Sequence, residues 1–387
     1  MYGAIGKLGE IFRKMTTTAK SIKNPIVNWN GSVVGSECSL HQLSPYIGKM
    51  KSAMAKKLIT AFSNKGDTIY DPFAGCGTVA LESWILNREV VANDLNPYAS
   101  VLTNGKLNPP LSENSALSLI EQIGIEIAEN NIDIDLTKIP KWVTDFFHKD
   151  TLKEIDIWKN LLITRQEWFL LACLLGILHH QRTGFLSYPS SHTVPYLRNK
   201  KFPKEEYPEL YSYRALKPRL EKKVIRALNR VPYLDNNLMR LCYQKDTESL
   251  IPDIKANSII TSPPYMRRLD YGRDNRLRLW LLGENEWKQL DEKVSPSEDK
   301  FLKSMRNCFI TWLEVLHRGG LCVLVLDNSI SKKYNMPLTE ALIRIAVEEV
   351  GGYKQIASFE DPIPNERRVR RYHNGSKTEI IIVLKRY

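Results

Sequence analysis

The chain has 387 residues, enough to bury one large core or two modest ones, and its 55 Lys and Arg against 43 Asp and Glu leave a formal charge of +12. That excess, with a pI near 9.2, suits a polyanionic partner. The six cysteines, at 38, 76, 173, 242, 308 and 322, form no C-x-x-C pair, which argues against a disulfide scaffold or a zinc site and fits reduced thiols in a cytoplasmic protein; no metal is expected.

The first segment places Ile5, Leu8, Phe12 and Met15 at helical spacing among Lys7, Arg13 and Lys14, the pattern of a helix packed on the domain or of a basic arm. No signal peptide is visible there. After a polar stretch to Ser39, the run His41 to Lys49 leads into a helix predicted from about Lys51 to Phe62. Thr68-Ile69-Tyr70 reads as a short strand, Asp71-Pro72-Phe73-Ala74-Gly75-Cys76-Gly77-Thr78 as a glycine-rich turn, and Val79 to Leu86 as a helix. Strand, turn and helix in that order open a doubly wound α/β fold, with Gly75 and Gly77 letting the backbone turn sharply and approach a bound cofactor. A second strand, Glu89 to Ala92, ends at Asn93-Asp94. Asp94 lies seventeen residues beyond Gly77, close to the ~20 expected of an acid that takes a ribose hydroxyl.

A minimal fold of this kind would return as a third strand within a few dozen residues, yet the next strand candidate is Met239 to Tyr243. The segment between is therefore an insertion after the second strand. A helix from about Pro97 to Asn104 stops at Asn108-Pro109-Pro110. Leu111-Ser112 then offers an N-cap to a stripe of Leu117, Ile120, Ile123 and Ile127. Trp142 to Phe147 and Trp158 to Leu178 are also helical in pattern. The continuous run Trp168 to Leu175 must be buried on most sides, and the apolar stretch to Leu178 is too short to cross a bilayer, so no membrane partner is expected. Between His180 and Arg230 twelve basic side chains face only four acidic ones, with Tyr188, Tyr196, Phe202, Tyr207, Tyr211 and Tyr213 interleaved. Such a surface suits a phosphate backbone with side chains reaching among bases, although Lys217 to Arg230 alone also fits a solvated face.

Ser258-Ile259-Ile260 runs straight into Thr261-Ser262-Pro263-Pro264-Tyr265. Two prolines lack backbone N–H groups, so this stretch cannot continue as a central ladder strand. Its carbonyls are then available to a planar ligand with an exocyclic amine, with a hydroxyl on one side and an aromatic ring on the other. A plain Pro-Pro turn capping a strand is the other reading of these residues taken alone. Beyond them come Arg267 and Arg268, a helical pattern from Asn275 to Leu282, and Gly319-Gly320 turning the chain into a buried parallel strand, Leu321 to Asp327. Leu342 to Val350 reads as its covering helix. Two last strands, Lys354 to Phe359 and Glu379 to Leu384, flank a loop holding Arg367, Arg368, Arg370 and Arg371.

Over residues 40–108 and 236–387 the chain resembles the S-adenosylmethionine-dependent amino-methyltransferases of DNA. Asp71-Pro72-Phe73-Ala74-Gly75-Cys76-Gly77-Thr78 is similar to their cofactor loop, Asp94-Leu95-Asn96-Pro97 to the end of their second strand, and Ser262-Pro263-Pro264-Tyr265 to their catalytic motif. Lys245-Asp246 is similar to the stretch whose acid holds the cofactor's adenine, and the segment through Lys49 to the one that covers its methionine end. The resemblance implies a doubly wound Rossmann-like sheet with S-adenosylmethionine held by Lys49, Asp71, Phe73, Ala74, Gly75, Gly77, Thr78, Asp94 and Asp246. It divides the chain into a first methyltransferase half (1–108), a mostly helical and basic target-recognition insertion (109–235) and a second half (236–387). Double-stranded DNA is the implied partner, with Arg198, Lys200, Lys201, Arg267, Arg268, Arg367, Arg368, Arg370 and Arg371 as contacts, and a cognate restriction endonuclease as a further one.

Methyl transfer from a sulfonium is an in-line displacement in which positioning supplies much of the catalysis. The Ser262 hydroxyl and the Pro263 carbonyl are expected to accept the amine's hydrogens, and Tyr265 to stack on a flipped base for ~1–3 kcal/mol. The Ser form of the motif is associated with cytosine N4. Adenine N6 is the alternative, followed by an RNA methyltransferase, where Asp usually stands in place of Ser262. A DNA-binding module without catalysis is the last, and the intact set of motif residues speaks against it.

Overall fold

The computed structural model describes residues 37–130, 134–180, 184–188, 203–264, 271–294, 296–327, 329–362 and 378–387, so the helix expected around Ile5 to Met15 lies outside them. The strands are β1 (Thr68–Asp71), β2 (Glu89–Asn93), β3 (Arg240–Tyr243), β4 (Ala256–Thr261), β5 (Leu316–Asp327), β6 (Ile330–Ser331), β7 (Met336–Pro337), β8 (Tyr353–Pro362) and β9 (Thr378–Arg386). Apart from the small β6–β7 ribbon they form one seven-stranded sheet in the order β3-β2-β1-β4-β5-β9-β8. Its first five strands are parallel, and β9 runs against both of its neighbours. The fold is thus the expected doubly wound α/β arrangement.

The sheet is buried on both faces because its strands are apolar at successive positions rather than alternate ones. Tyr70, Val91, Ile259 and Leu324 point to one face, where they meet Phe301, Met305, Phe309 and Trp312 of α12 (Glu298–Val315) and Leu338 and Leu342 of α13 (Leu338–Arg344). Ile69, Ile260 and Val323 point to the other, against α1 (Ser52–Phe62), while Val90 and Ala92 meet α2 (Thr78–Ile85) and α3 (Pro97–Leu107).

The insertion builds outward from that second face. It comprises α4 (Glu113–Asn130), the short α5 (Lys141–Thr144), α6 (Lys149–Thr164), α7 (Trp168–Ile177) and α8 (Lys217–Leu228). From Phe169 onward α7 is buried on all sides, packed on α3, α6 and α8, so the insertion shares one apolar cluster with α2 and α3. The helical stretch expected from Trp158 to Leu178 is two helices. The polar run Arg165-Gln166-Glu167 separates them, with Gln166 at φ 57°.

Between β4 and β5 lie α9 (Tyr271–Asp274), α10 (Arg276–Leu281), α11 (Trp287–Val294) and α12. Strand β5 begins five residues earlier than expected. Leu316 pairs with Ala256 and Leu321 with Ser258, so Gly319-Gly320 belong to a bulge within the strand rather than a turn before it. The helix covering β5 starts at Leu338 and passes into a π-helical turn at Ile345–Val350. None of the described helices is long and apolar enough to cross a membrane.

Candidate active site

Strand order reverses between β1 and β4, and in open α/β sheets the crevice at the carboxyl ends of such strands is where ligands bind. A cavity of about 680 Å³ opens there, within the usual range for small-molecule sites. Its walls include Lys49, Asp71, Phe73, Ala74, Gly75, Thr78, Asp94 and Asp246, together with Ser262 and Pro264. Residues expected to bind cofactor and residues expected to do chemistry, up to 215 positions apart, therefore face one space.

Two expected residues do not line it. Gly77, at φ 72°, is the N-cap of α2, and a β-carbon there would sit 2.7 Å from Thr103 Oγ1 and 3.0 Å from Thr103 Cα. Its lack of a side chain serves the close approach of α3. Pro263 is buried and is not among the lining residues, which include its neighbours Ser262 and Pro264.

The loop after β1 is held from beneath. The Gly75 N–H donates to Asp94 Oδ2 at 2.7 Å and the Asn96 N–H to Asp94 Oδ1 at 2.9 Å. A carboxylate has about four lone-pair sites, so Asp94 keeps capacity for ribose hydroxyls. The Thr261 hydroxyl donates to Asp71 Oδ1 at 2.6 Å, tying the end of β4 to the end of β1 just before Ser262. Asp246 Oδ1 accepts from the Glu248 N–H at 3.0 Å. Burial pushes the Asp71 carboxyl up to about 7, offset in part by the Thr261 hydroxyl, with the charge of Asp94 raising it further. Burial likewise lifts Asp94 to about 6 against the lowering effect of the Asn96 and Gly75 N–H groups. No lysine or arginine among the described residues pairs with either acid. The side-chain NH2 of Asn96, also on the wall, is buried with no acceptor among the described residues. Two unneutralised carboxylates and an orphaned donor fit a ligand that brings cationic groups and hydroxyls.

Several walls were not expected. Tyr271 lines the cavity, as do Gln289, Glu292 and Lys293 of α11 and Phe301, Ser304 and Met305 of α12. The spacing of Phe301, Leu302, Met305, Cys308, Phe309 and Trp312 is helical and was available as a signal for α12. Asn93 was read only as a strand end. Its amide both donates to the Lys245 carbonyl and accepts from the Lys245 N–H, each at 3.0 Å.

Tyr265, Arg267 and Arg268 lie outside the described residues, as do Arg198, Lys200, Lys201, Arg367, Arg368, Arg370 and Arg371. Part of the insertion's basic excess has structural work. Arg214 is buried and donates to the carbonyls of Phe185, Ser187 and Leu210. Lys217 pairs with Glu121 at 2.5 Å, and Lys223 donates to the Gln42 carbonyl at 2.6 Å.

Comparison with known proteins bears on this site. Residues 17–136, which carry the loop after β1 and Asp94, match the DNA methylase family. Type II methyltransferase M.BsoBI of Geobacillus stearothermophilus is 25% identical over 277 residues, covering 65% of this chain and 54% of that protein. The chain thus spans about half the length of the curated relative it matches. Among solved structures, TrmN from Thermus thermophilus overlaps with a TM-score of 0.37 at 11% identity, over 90% of this chain and 52% of that one. The rRNA methyltransferase aviRa from Streptomyces viridochromogenes overlaps with a TM-score of 0.36 at 12% identity, over 94% and 95%. Overlaps this loose carry nothing about substrate. The family match over residues 17–136 and the curated relative support a likeness of this chain to the DNA amino-methyltransferases.

Proposed function

We propose that the chain transfers a methyl group from S-adenosylmethionine to the exocyclic amine of a base flipped out of duplex DNA, with cytosine N4 as the acceptor. The observation that carries this is the shared cavity: Ser262 and Pro264 line the same space as Asp71, Gly75, Asp94 and Asp246. When bound, S-adenosylmethionine supplies an activated methyl on a positively charged sulfur. Asp94 takes the ribose hydroxyls, Asp246 the adenine amine and Asp71 the amino group. Cationic and hydroxyl-bearing partners suit buried carboxylates that no lysine or arginine among the described residues neutralises.

Ser262 then addresses the weak point of the reaction, an amine whose lone pair is delocalised into the base. Its hydroxyl accepts a hydrogen of that amine, which frees the lone pair to form the nitrogen–carbon bond. The carbon–sulfur bond breaks with its electrons remaining on sulfur, and the surplus proton leaves the amine for solvent. Pro264 carries no N–H to compete for the base edge. The family match over residues 17–136 supports DNA as the substrate, and the chain's excess of 12 positive charges suits it. A hydroxyl at 262 is shorter than a carboxamide or carboxylate and can donate or accept, which favours cytosine, where the amine sits beside ring N3. A restriction endonuclease of the same specificity is the partner such an enzyme would have.

Incubating duplex DNA with the protein and methyl-labelled cofactor, then digesting to nucleosides and weighing them, tests the reading. N4-methylcytosine is the expected product. Label found only on adenine would move the target to N6 and leave the mechanism standing. Preference for RNA over duplex DNA of equal length would replace the substrate class.

A further inference from the structure

Two aromatic rings on the cavity wall have no part in the chemistry above. Tyr46 and Tyr271 lie with ring centroids 6.1 Å apart and planes tilted by 33°. The row is anchored at both ends. Tyr46 packs on Tyr98 at 5.8 Å, and the Tyr98 hydroxyl donates to the Pro45 carbonyl at 2.6 Å, next to Tyr46 itself. Tyr271 opens α9, whose Gly272 and Arg273 N–H groups donate to the Asp291 carboxylate of α11 at 2.5 and 3.1 Å. Tyr46 also covers the loop after β1: a β-carbon built on Gly75 would be 3.4 Å from its Cε1.

This inference rests on the cofactor reading, in which Asp94 takes the ribose and Asp71 the amino group. The sulfonium sulfur is bonded to the ribose 5′ carbon on one side and to the amino-acid chain on the other. It must therefore pass between the two carboxylates, beside Gly75 and the ring that covers it. We propose that Tyr46 and Tyr271 form an aromatic wall for the sulfonium, by which the site reads the positive charge of the methyl donor and distinguishes it from the neutral thioether left after transfer.

The chemistry is that of a cation held against the negative face of aromatic rings, strengthened where water is excluded. Burial, with Asp94 nearby, pushes both phenols above their ordinary range, so the rings act as neutral aromatic groups rather than phenolates. Once the carbon–sulfur bond has broken, the same wall faces an uncharged sulfur and holds it less tightly.

Titration calorimetry with S-adenosylmethionine and S-adenosylhomocysteine tests this on the full chain. Tyr271→Leu and Tyr46→Leu should each weaken S-adenosylmethionine about tenfold and the homocysteine compound by less than about twofold. Tyr271→Phe should keep the wild-type ratio of the two affinities. Pentafluorophenylalanine at 271, which keeps the ring's shape and removes its negative face, should lose that ratio as the Leu variant does and serves where the Leu variants do not fold. Equal weakening of both compounds, or an unchanged ratio with the fluorinated ring, overturns the wall and leaves the cofactor reading in place. Failure of the wild-type protein to bind S-adenosylmethionine removes the cofactor reading and the wall with it.

Discussion

The side-chain amide of Asn93 and the backbone of Lys245 exchange two hydrogen bonds of 3.0 Å, across 152 positions of sequence. Asn93 also accepts the Ala74 N–H on its own carbonyl at 2.9 Å. One buried residue thus sets the distance between the loop after β1 and the turn that carries Asp246. Asn93→Asp keeps the shape but has no hydrogen to give the Lys245 carbonyl, and it buries a charge. It should cost about 1–3 kcal/mol of stability. It should also weaken cofactor binding more than Asn93→Ser does, because the carboxylate repels Asp246. Urea unfolding alongside calorimetry checks both, and an Asp variant as stable as wild type would mean the pairing does not hold the turn.

What the sequence made legible was local chemistry. The run of Thr68 to Asp71 into a glycine-rich turn, and of Glu89 to Asp94 into a second acid, are contiguous patterns whose backbone requirements are written in neighbouring residues. The cavity's far wall was not legible in that way. Tyr271 and Phe301 reach the site only because α9, α11 and α12 fold back over it, and residues 283–318 carried no expected element despite the helical spacing of Phe301, Met305, Cys308 and Trp312. Gly77 carries a packing demand that the pattern did not reveal. A G-x-G pattern reads as close approach to a ligand, and here the second glycine makes room for Thr103 of the neighbouring helix.

The two raised carboxylates give binding a pH dependence of defined sign. Asp71 and Asp94 are held up to about 7 and about 6, above the ~3.9 of an unfolded chain. Between those limits the empty folded protein binds more protons than the unfolded one, so their contribution to stability worsens as pH rises through 6 to 7 and is relieved as it falls. A cationic ligand favours the ionised acids. S-adenosylmethionine affinity should therefore climb between about pH 5.5 and 7.5, with protons released on binding. Calorimetry near pH 6 in two buffers of different ionisation enthalpy reads that release directly, and identical heats in both would rule it out.

Gly176 sits in the last turn of the apolar helix α7, where propensity alone favours Ala by up to about 1 kcal/mol. A β-carbon there would lie 2.0 Å from the Leu43 carbonyl, on the segment that carries Tyr46, and 3.2 Å from Lys223 Cε. Backbone cannot yield as a side-chain tip does, so Gly176→Ala should destabilise by about 1–3 kcal/mol and weaken cofactor binding by displacing Tyr46. The sign decides: a higher melting temperature in the Ala variant would show that α7 and the segment around Leu43 are not packed as described.

Arg278 couples the stretch after the Ser-Pro-Pro motif to the insertion. It is buried in α10. Its Nε donates to the Leu175 carbonyl at 3.1 Å and a terminal nitrogen to the His179 carbonyl at 3.4 Å, while the guanidinium lies 5.6 Å from the Tyr98 ring centre. The last carbonyls of a helix have no partner within it, and a cation at that end also meets the negative pole of the helix dipole. The Leu186 and Ser187 N–H groups take the Ile177 and Leu178 carbonyls, so Arg278 completes the C-terminal cap of α7. Arg278→Met fills comparable volume but leaves those carbonyls buried without a donor, and should cost about 2–3 kcal/mol. Arg278→Lys retains the charge and loses the planar fork, so it should fall between Met and wild type. In urea the midpoint should drop with an unchanged slope, since the surface exposed on unfolding stays the same. Because Tyr98 stands between Arg278 and Tyr46, the Met variant should also weaken cofactor binding, with turnover at saturating cofactor little altered. A Met variant as stable as wild type would mean the end of α7 needs no cap from α10.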